Sequence, residues 1–450
     1  MSQISLLNLP DTVTPPPPAP ATPATARVYR PVRNQREWVE QDLDSLLPQD
    51  HQARAVWAML DGMDLSAFYA DIKAVLDKPG HPASDPQVLL ALWVYATVEG
   101  VGSARRLDRL CHQHDAYRWL RGGVPVNYHM LSDFRVARRA ALDDLLTRIV
   151  GCMLAAEAVT LGRVAQDGMR VRASAGAASF RREETLERCL TAAWEQVERV
   201  AQEREHPDPD VTKRQQAARE RAAREREQRV TEALAYVPQV QAAKERQQRT
   251  LATGKREKVT APRVSTTDPE ARVMKMPDGG FRPAYNVELA TVEAPGKAHG
   301  IIVGVAVTTE GTDAGQAVPM EEQVVERTGS HPQDYLVDGG FATREAITTL
   351  GQRSITVYAP VRLPRNKPEE ERYLPRQGDS PEVAAWRERM ATAEAKAIYK
   401  VRGALAEWAN AQVRHLGVSQ FTVRGVAKVT AVMLLIAVTH NLLRWLAWGT

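Results

Sequence analysis

The chain has 450 residues, of which 59 are Lys or Arg, 55 are Asp or Glu, 28 are Pro and 3 are Cys. These are ordinary globular proportions, and they exclude a collagen-like chain, a wholly disordered chain and a disulfide scaffold. The formal net charge of +4 is too close to neutral to indicate an acidic partner by itself. Most basic residues are Arg, a side chain suited to bidentate phosphate contacts, but GC-rich codon usage produces the same excess.

Three features indicate a cytoplasmic location. The cysteines are far apart and form no Cys-x-x-Cys pair, which is typical of a reducing compartment. The N-terminus lacks the basic start, apolar stretch and small-residue cleavage site of a secretory signal. The most apolar stretch, residues 429–448, is interrupted by polar residues including His440, whereas a membrane span needs about 20 apolar residues. We therefore predict a buried helix there and no membrane association.

The N-terminal third of the chain predicts a tail followed by helices. Residues 1–35 include a Pro-, Ala- and Thr-rich run without apolar periodicity, so we expect them to be disordered. Apolar residues recur at helical spacing from 36 to about 157. Pro86 after Asp85 indicates a helix start, and Ser103 is suited to cap a helix at 104–112. Further helices are predicted at 130–140 and 141–157.

His440, in the apolar stretch near the C-terminus, is expected to be a core residue rather than a metal ligand.

Arginine is concentrated in this helical region. Short helices joined by Gly- and Pro-marked turns are typical of a helix-turn-helix DNA-binding module. An all-helical bundle whose Arg side chains face solvent fits the pattern equally well. If the region binds DNA, the candidate contacts are Arg105, Arg106, Arg109 and Arg135.

The remainder, 158–450, predicts an α/β domain with a mixed sheet. Residues 163–175 alternate as a strand does. A stretch at about 180–258, rich in Ala, Glu, Arg and Gln, predicts a helical hairpin inserted at about 177–262; its mixed charge favours a solvated insertion over a DNA-gripping arm. Strands are then predicted at 284–292, 300–308, 334–338 and 355–361. Helices are predicted at 315–328 and 343–352, with one long helix at 382–415. Such an order favours a mixed sheet covered by helices.

Two aspartates occupy equivalent places in this pattern. Asp167 and Asp338 each come at an apolar strand and precede Gly, which leaves a carboxylate at a strand end. A third acid, Glu407, lies in the long helix. Three hard oxygen ligands near one point suit Mg²⁺, and two such ions can drive a phosphodiester displacement. Taken singly, an Asp-Gly pair is more often a turn than a metal ligand, and a helical Glu near an Arg is usually a surface ion pair.

Taken in order, these strings resemble bacterial insertion-sequence transposases of the DDE class, in the branch whose third acid lies in a Tyr-x-x-Arg-x4-Glu helix. The resemblance covers the chain from about residue 36 onward. The matching strings are Leu47-Pro48-Gln49-Asp50-His51, Asp85-Pro86, Gly100-Val101-Gly102-Ser103-Ala104-Arg105, Phe134-Arg135, Asp167-Gly168, residues 265–272, Tyr285-Asn286-Val287, Asp338-Gly339-Gly340-Phe341, Tyr399 with Arg402, Glu407 and Arg414, Val423-Arg424-Gly425, and His440-Asn441-Leu442.

The resemblance implies a helical DNA-binding domain at 36–157 and a ribonuclease-H-like catalytic domain at 158–450. Asp167, Asp338 and Glu407 would then be the catalytic acids and would ligate Mg²⁺ or Mn²⁺, with two ions expected. The residues implied to position DNA near the cut are Tyr399, Arg402 and Arg414. The expected partners are double-stranded DNA, as terminal inverted repeats and as target, and a second copy of the chain. Such a cytoplasmic protein would associate with the nucleoid when bound to DNA.

Two other functions remain compatible with the same residues. A ribonuclease-H-like nuclease would cleave without joining strands. A domesticated copy would bind DNA without catalysis, although the retained acids argue against it.

Overall fold

The structure, a computed structural model, describes residues 36, 40–74, 81–205, 211–249, 261–294, 300–362, 368, 371 and 373–449. The expected disordered tail at 1–35 lies outside these residues, as do two parts of the insertion, 206–210 and 250–260. The residues Leu43–Thr450 belong to one compact unit.

Among the residues that the structure describes before the sheet, a 3-10 turn (Asp44–Leu46) is followed by seven α-helices. They are α1 (Gln52–Asp61), α2 (Ser66–Tyr69), α3 (Pro86–Val98), α4 (Ala104–Gln113), α5 (Asp115–Arg121), α6 (Tyr128–Ala137) and α7 (Arg139–Ala155). Both predicted helix starts are confirmed. The Asp85 carboxylate accepts a hydrogen bond from the backbone of Gln87 at 2.9 Å, and the Ser103 hydroxyl accepts one from Arg106 at 3.4 Å. These side chains satisfy backbone donors that the first helical turn leaves without partners.

The sheet is mixed, as predicted. The strands are β1 (Arg163–Arg172), β2 (Phe180–Arg181), β3 (Val264–Ser265), β4 (Arg272–Lys275), β5 (Phe281–Val292), β6 (Ile301–Thr308), β7 (Asp334–Leu336) and β8 (Thr356–Tyr358). The main sheet has the order β4-β5-β1-β7-β8, with β6 also pairing with β5, while β2 and β3 form a separate pair. Strand β1 is antiparallel to β5 and parallel to β7, and β7 is parallel to β8. Helices α10 (Ala317–Thr328) and α11 (Arg344–Gln352) connect the strands after β6.

The predicted helical insertion is confirmed as α8 (Glu183–Glu205) and α9 (Lys213–Arg249). The two helices run antiparallel, because contacts pair successively earlier residues of α8 with later residues of α9. Gln216 donates to the Val200 carbonyl at 3.1 Å, and Trp194 donates to Glu227 at 3.1 Å. Their contact face is built from small and branched side chains: Ala193, Val200, Ala223, Val230 and Ala233 are buried. The charged side chains lie mostly outside this narrow face, which accounts for the polar composition of the hairpin.

Three of the motif strings meet at the base of this insertion. The Asp268 carboxylate accepts hydrogen bonds from the Tyr285 hydroxyl at 2.7 Å and from the Gly425 backbone at 3.2 Å. Glu270 accepts from the Tyr236 hydroxyl of α9 at 2.7 Å and from the Val426 backbone at 2.5 Å. The strings therefore join the insertion, strand β5 and the start of the last helix into one polar junction.

The predicted long helix at 382–415 is wrong as a single element. The structure divides it into α12 (Pro381–Ala391), α13 (Ala393–Arg402), a π-helical turn (Gly403–Glu407) and α14 (Trp408–His415). The first break is at Thr392, whose extended backbone (φ −75°, ψ 150°) leaves its hydroxyl free to accept from the Ala395 backbone at 3.1 Å. A Thr that caps a new helix in this way competes with continuation of the old one. The π-turn contains the third candidate acid.

The last helix, α15 (Val426–Gly449), is the centre of the core. It contacts α3, α6 and α7 on one side and β6 on the other, so the N-terminal helices and the sheet share one hydrophobic core. Asn441 fixes it to the sheet, because its side-chain amide donates to the Ile302 carbonyl and accepts from the Ile302 backbone, at 2.8 and 2.9 Å. By length and composition alone, Val426–Trp448 could cross a membrane, but 67% of its apolar window is buried inside the fold. This burial agrees with the predicted core helix.

His440 is buried in this core, as predicted, and its ring meets Trp408 edge to face at 5.4 Å. Burial lowers the pKa of His440 to about 4. Below pH 6.5 the unfolded chain takes up a proton at this position that the folded chain does not, so stability is complete above pH 6.5 and falls toward pH 4.

We therefore expect the free energy of unfolding to fall between pH 6.5 and 4, with His440 contributing about 3 kcal/mol of that decrease. In denaturant titrations, His440→Gln should show a shallower pH dependence over this interval. His415→Gln, which changes an exposed histidine, is the matched control and should keep the wild-type slope. An unchanged slope in His440→Gln would contradict the assignment.

Candidate active site

Asp167 and Asp338 are brought together by the parallel pairing of β1 and β7. The register pairs Arg163 with Asp334 and Ala165 with Leu336. The pairing ends there with β7, and the same register continued by two residues would set Asp167 beside Asp338, whose charge acts on Asp167. Adjacent strands are about 4.8 Å apart, and register partners point to the same face of the sheet. This register therefore directs the two carboxylates to the same face, close to each other. Asp338 follows the end of β7, whereas Asp167 lies inside β1 and not at a strand end as the sequence pattern led us to expect.

Glu407 is linked to Asp167 by Arg402, which forms an ion pair with each of them. The Arg402 guanidinium lies 3.4 Å from the Asp167 carboxylate and 3.0 Å from the Glu407 carboxylate, so one cation pairs with both acids. The Asp167 side chain is 19% exposed and that of Glu407 is 62% exposed. Glu407 therefore lies at the solvent end of this pair, and Asp167 lies at the sheet.

Burial dominates the electrostatics of Asp167. It raises the pKa of the Asp167 carboxyl, while Arg402 opposes this effect and the charge of Asp338 adds to it. The side-chain amide of Asn410 donates to Asp167 at 2.9 Å, and its carbonyl oxygen is buried with no hydrogen-bond partner. A carboxylate that is partly desolvated beside another acid is poised to gain from a cation.

The other two residues expected near the site differ in their exposure. Tyr399 is half-buried on α13, with its ring centre 5.8 Å from the Arg402 guanidinium, and burial raises the pKa of its hydroxyl. Arg414 is exposed on α14, one helix beyond Glu407. Tyr399 therefore packs beside the acids, whereas Arg414 presents its charge to solvent.

A second group of oxygen ligands lies beside the predicted acids, and sequence reasoning did not single it out. Glu288 of β5 is the register partner of Gly168 and is fully buried. Burial and the nearby carboxylate of Asp313 raise the pKa of Glu288 to about 8. The Asn286 side chain donates to Glu288 at 2.7 Å and to Asp313 at 2.9 Å. A charged residue between the apolar residues Val287 and Leu289 of β5 was the signal that could have identified Glu288.

The donor set of the three predicted acids fits a hard divalent cation by its chemistry, since all three are carboxylates. Within the residues that the structure describes, however, no three His, Cys, Asp or Glu side chains are gathered closely enough to hold an ion. The reason is visible at Asp167, where the Arg402 guanidinium pairs with two of the acids. In this structure Arg402 therefore occupies the place of a cation beside two of the three acids, Asp167 and Glu407.

The candidate DNA contacts of the N-terminal region fall into two groups. Arg105, Arg106 and Arg109 are exposed on α4. Arg135 corrects our expectation, because it is only 5% exposed and its guanidinium stacks 4.3 Å from the ring centre of Trp93. It also donates to the Gly102 carbonyl at 2.7 Å. Arg135 therefore holds helices together and does not offer its charge to a ligand.

Comparisons with known families agree with this geometry. A family model described as a transposase domain (DUF772) matches residues 41–137, and a second model, a transposase DDE domain, matches residues 366–446. The second match includes Tyr399, Arg402 and Glu407. No curated protein and no solved structure matches the chain.

The α/β fold and the two matches define the class, which is that of DNA transposases. More narrowly, the chain is an insertion-sequence transposase of the DDE class, an enzyme that cleaves and transfers DNA strands. DDE domains use divalent metal ions and act on DNA, and action on DNA implies a cytoplasmic location.

The different positions of Arg135 and Arg109 give a prediction that separates stability from DNA binding. Arg135→Ala should lower the free energy of unfolding by about 2–4 kcal/mol, because it leaves a cavity beside Trp93 and removes a buried hydrogen bond. Arg109→Ala should change stability by less than about 0.5 kcal/mol. Its effect should instead be a shallower salt dependence of DNA affinity, measured by fluorescence anisotropy.

Calorimetry on both variants measures the predicted changes in the free energy of unfolding. A normally stable Arg135→Ala protein that has lost DNA affinity would reverse the assignment.

Proposed function

We propose that Asp167, Asp338 and Glu407 are the catalytic acids of this transposase and the ligands of its divalent ions. The observation that supports this proposal is the parallel pairing of β1 and β7, whose continuation directs Asp167 and Asp338 toward each other, together with the effect of the Asp338 charge on Asp167. Mg²⁺ or Mn²⁺, as two ions, would supply activation of the attacking hydroxyl and stabilisation of the leaving oxygen in phosphodiester cleavage and joining. The mixed sheet, with three antiparallel pairings on the β5 side of β1 and two parallel pairings on the β7 side, supports a ribonuclease-H-like core.

Arg402 has a role that follows from its two ion pairs. In the chain without DNA, its guanidinium neutralises Asp167 and Glu407 and keeps like charges from accumulating. A DNA phosphate offers the same planar group a bidentate partner. When DNA arrives, Arg402 therefore exchanges its carboxylates for a phosphate, and the acids are released for metal.

Tyr399 and Arg414 complete the DNA contacts near the cut. Tyr399 packs beside Arg402, so its ring limits the directions in which the guanidinium turns. Arg414 is exposed on the helix that follows the π-turn and adds positive charge there. Both residues belong to the proposed Tyr-x-x-Arg-x4-Glu branch of the family.

The wider organisation is proposed on the same basis. Residues 36–157 read the terminal inverted repeats through the exposed arginines of α4, and residues 158–450 perform catalysis on end and target DNA, with the helical insertion at about 177–262 interrupting the catalytic domain. Two element ends must be held together before joining, so a homodimer is the expected active form. The protein associates with the nucleoid when bound to DNA.

Substitution of the acids tests this proposal directly. Asp167→Asn, Asp338→Asn and Glu407→Gln should each reduce Mg²⁺-dependent cleavage of an element-end oligonucleotide by about 100-fold or more, because each removes a negative charge from the metal ligands. Affinity for that oligonucleotide should change little. Glu394→Gln, an exposed carboxylate on α13, is the matched control and should cleave normally.

The same assay distinguishes transposition from simple cleavage. Transfer of a labelled 3′ end into a plasmid is expected, whereas cleavage without transfer would indicate a nuclease. Normal cleavage by any one of the three acid variants would overturn the assignment of that acid.

A further inference from the structure

Three side-chain oxygen atoms surround the position that a Cβ atom of residue 168 would occupy. Gly168 has no side chain, and a Cβ there would stand 2.8 Å from Glu288 Oε1, 3.1 Å from Asp313 Oδ1 and 3.2 Å from Asn286 Oδ1. Glu288 and Asn286 lie on β5, and Asp313 lies in the connection between β6 and α10. The glycine thus leaves a small space that is lined by oxygen.

Two of the three lining side chains are buried, and the third, Asp313, is partly exposed. Glu288 is 0% exposed and Asn286 is 1% exposed. The Asn286 amide nitrogen donates to both carboxylates, but its carbonyl oxygen has no hydrogen-bond partner and is directed toward the Gly168 space. Among the described residues, no ion pair joins Glu288 or Asp313 to Lys, Arg or His. An unpaired buried carboxylate and an unpaired carbonyl oxygen both carry a desolvation penalty, and a cation would remove both penalties.

The position of Glu288 is fixed from behind, so the space cannot close easily. The Gln166 amide donates to Glu288 Oε2 at 3.2 Å, and the Tyr335 hydroxyl donates to Gln166 at 2.8 Å. Glu288 Oε1 is left facing Gly168. Carboxylate oxygens have several lone pairs, so the contact with Asn286 does not prevent Glu288 from binding an ion as well.

We propose that Glu288, Asp313 and the Asn286 carbonyl oxygen bind a hard divalent cation in the space over Gly168, at a site distinct from that of the catalytic acids. All three donors are oxygens, which is the ligand type of Mg²⁺, Mn²⁺ and Ca²⁺, and water completes the coordination. Two carboxylates balance the two positive charges.

The proposed site lies next to Asp338, one of the proposed catalytic acids. Asp313 Oδ2 and Asp338 Oδ1 are 3.3 and 2.9 Å from the point where a Gly340 Cβ would stand. An ion held by Asp313 therefore fixes the connection between β6 and α10 beside Asp338. The ion positions the loop around the catalytic acid and does not need to touch DNA.

Binding of Mn²⁺ alone, without DNA, tests the proposal. The full chain carrying Asp167→Asn and Glu407→Gln, which weaken the proposed catalytic ligands, should still bind one Mn²⁺ in a titration followed by electron paramagnetic resonance. Adding Glu288→Gln or Asp313→Asn should weaken that binding at least tenfold. Adding Gly168→Ala should do the same, because its methyl group takes up the space.

Gly162→Ala is the matched control for Gly168→Ala, since a Cβ at Gly162 meets no atom within 4 Å; it should leave Mn²⁺ affinity unchanged. Circular dichroism identifies any variant that does not fold. If one of the three ligand-site variants is unfolded, the Mn²⁺ affinities of the other two test the proposal. Absence of Mn²⁺ binding in the starting double variant, or equal affinity in its Glu288→Gln and Asp313→Asn derivatives, would overturn the proposal. Because the titration contains no DNA, it is independent of whether the three acids catalyse cleavage.

Discussion

The parallel pairing of β1 with β7 is the contact on which the candidate site depends. It aligns two strands that are about 170 residues apart in the chain, and its register, continued by two residues, would set Asp167 beside Asp338. A shift of one residue in this register would turn one aspartate to the opposite face of the sheet. The antiparallel pairing of β1 with β5 then sets Glu288 opposite Gly168. One strand thus contributes to two groups of acids, and the first group contains two of the proposed catalytic acids.

The C-terminal helix α15 keeps this arrangement in place, because it packs between the sheet and the N-terminal helices. Asn441 bonds to the backbone of β6, and the start of the helix meets Glu270 at the base of the insertion. Its apolar composition follows from burial on several sides, as expected for a helix in the middle of a core. Movement of the N-terminal helices relative to the sheet would therefore disturb this shared core.

Local signals in the sequence predicted much of this fold. The caps at Asp85 and Ser103 were readable because their partners lie two or three residues away, and alternation in β1 placed Asp167 on a strand. The break at Thr392 was missed because Thr is also compatible with a helix interior, so cap geometry decides. Burial of Arg135 could not be predicted, since its partners include Thr422, 287 residues away. The group around Gly168 depends on strand register, which a single sequence does not define.

The central claim is that Asp167 and Asp338 share a divalent cation once Arg402 has turned from carboxylate to phosphate. Crystals of the full chain with an element-end duplex and Mn²⁺, analysed by anomalous scattering, test it most directly. The account predicts a manganese peak between the Asp167 and Asp338 carboxylates, with the Arg402 guanidinium on a DNA phosphate. A complex in which Arg402 still pairs with Asp167 and no manganese lies between the two aspartates would contradict it.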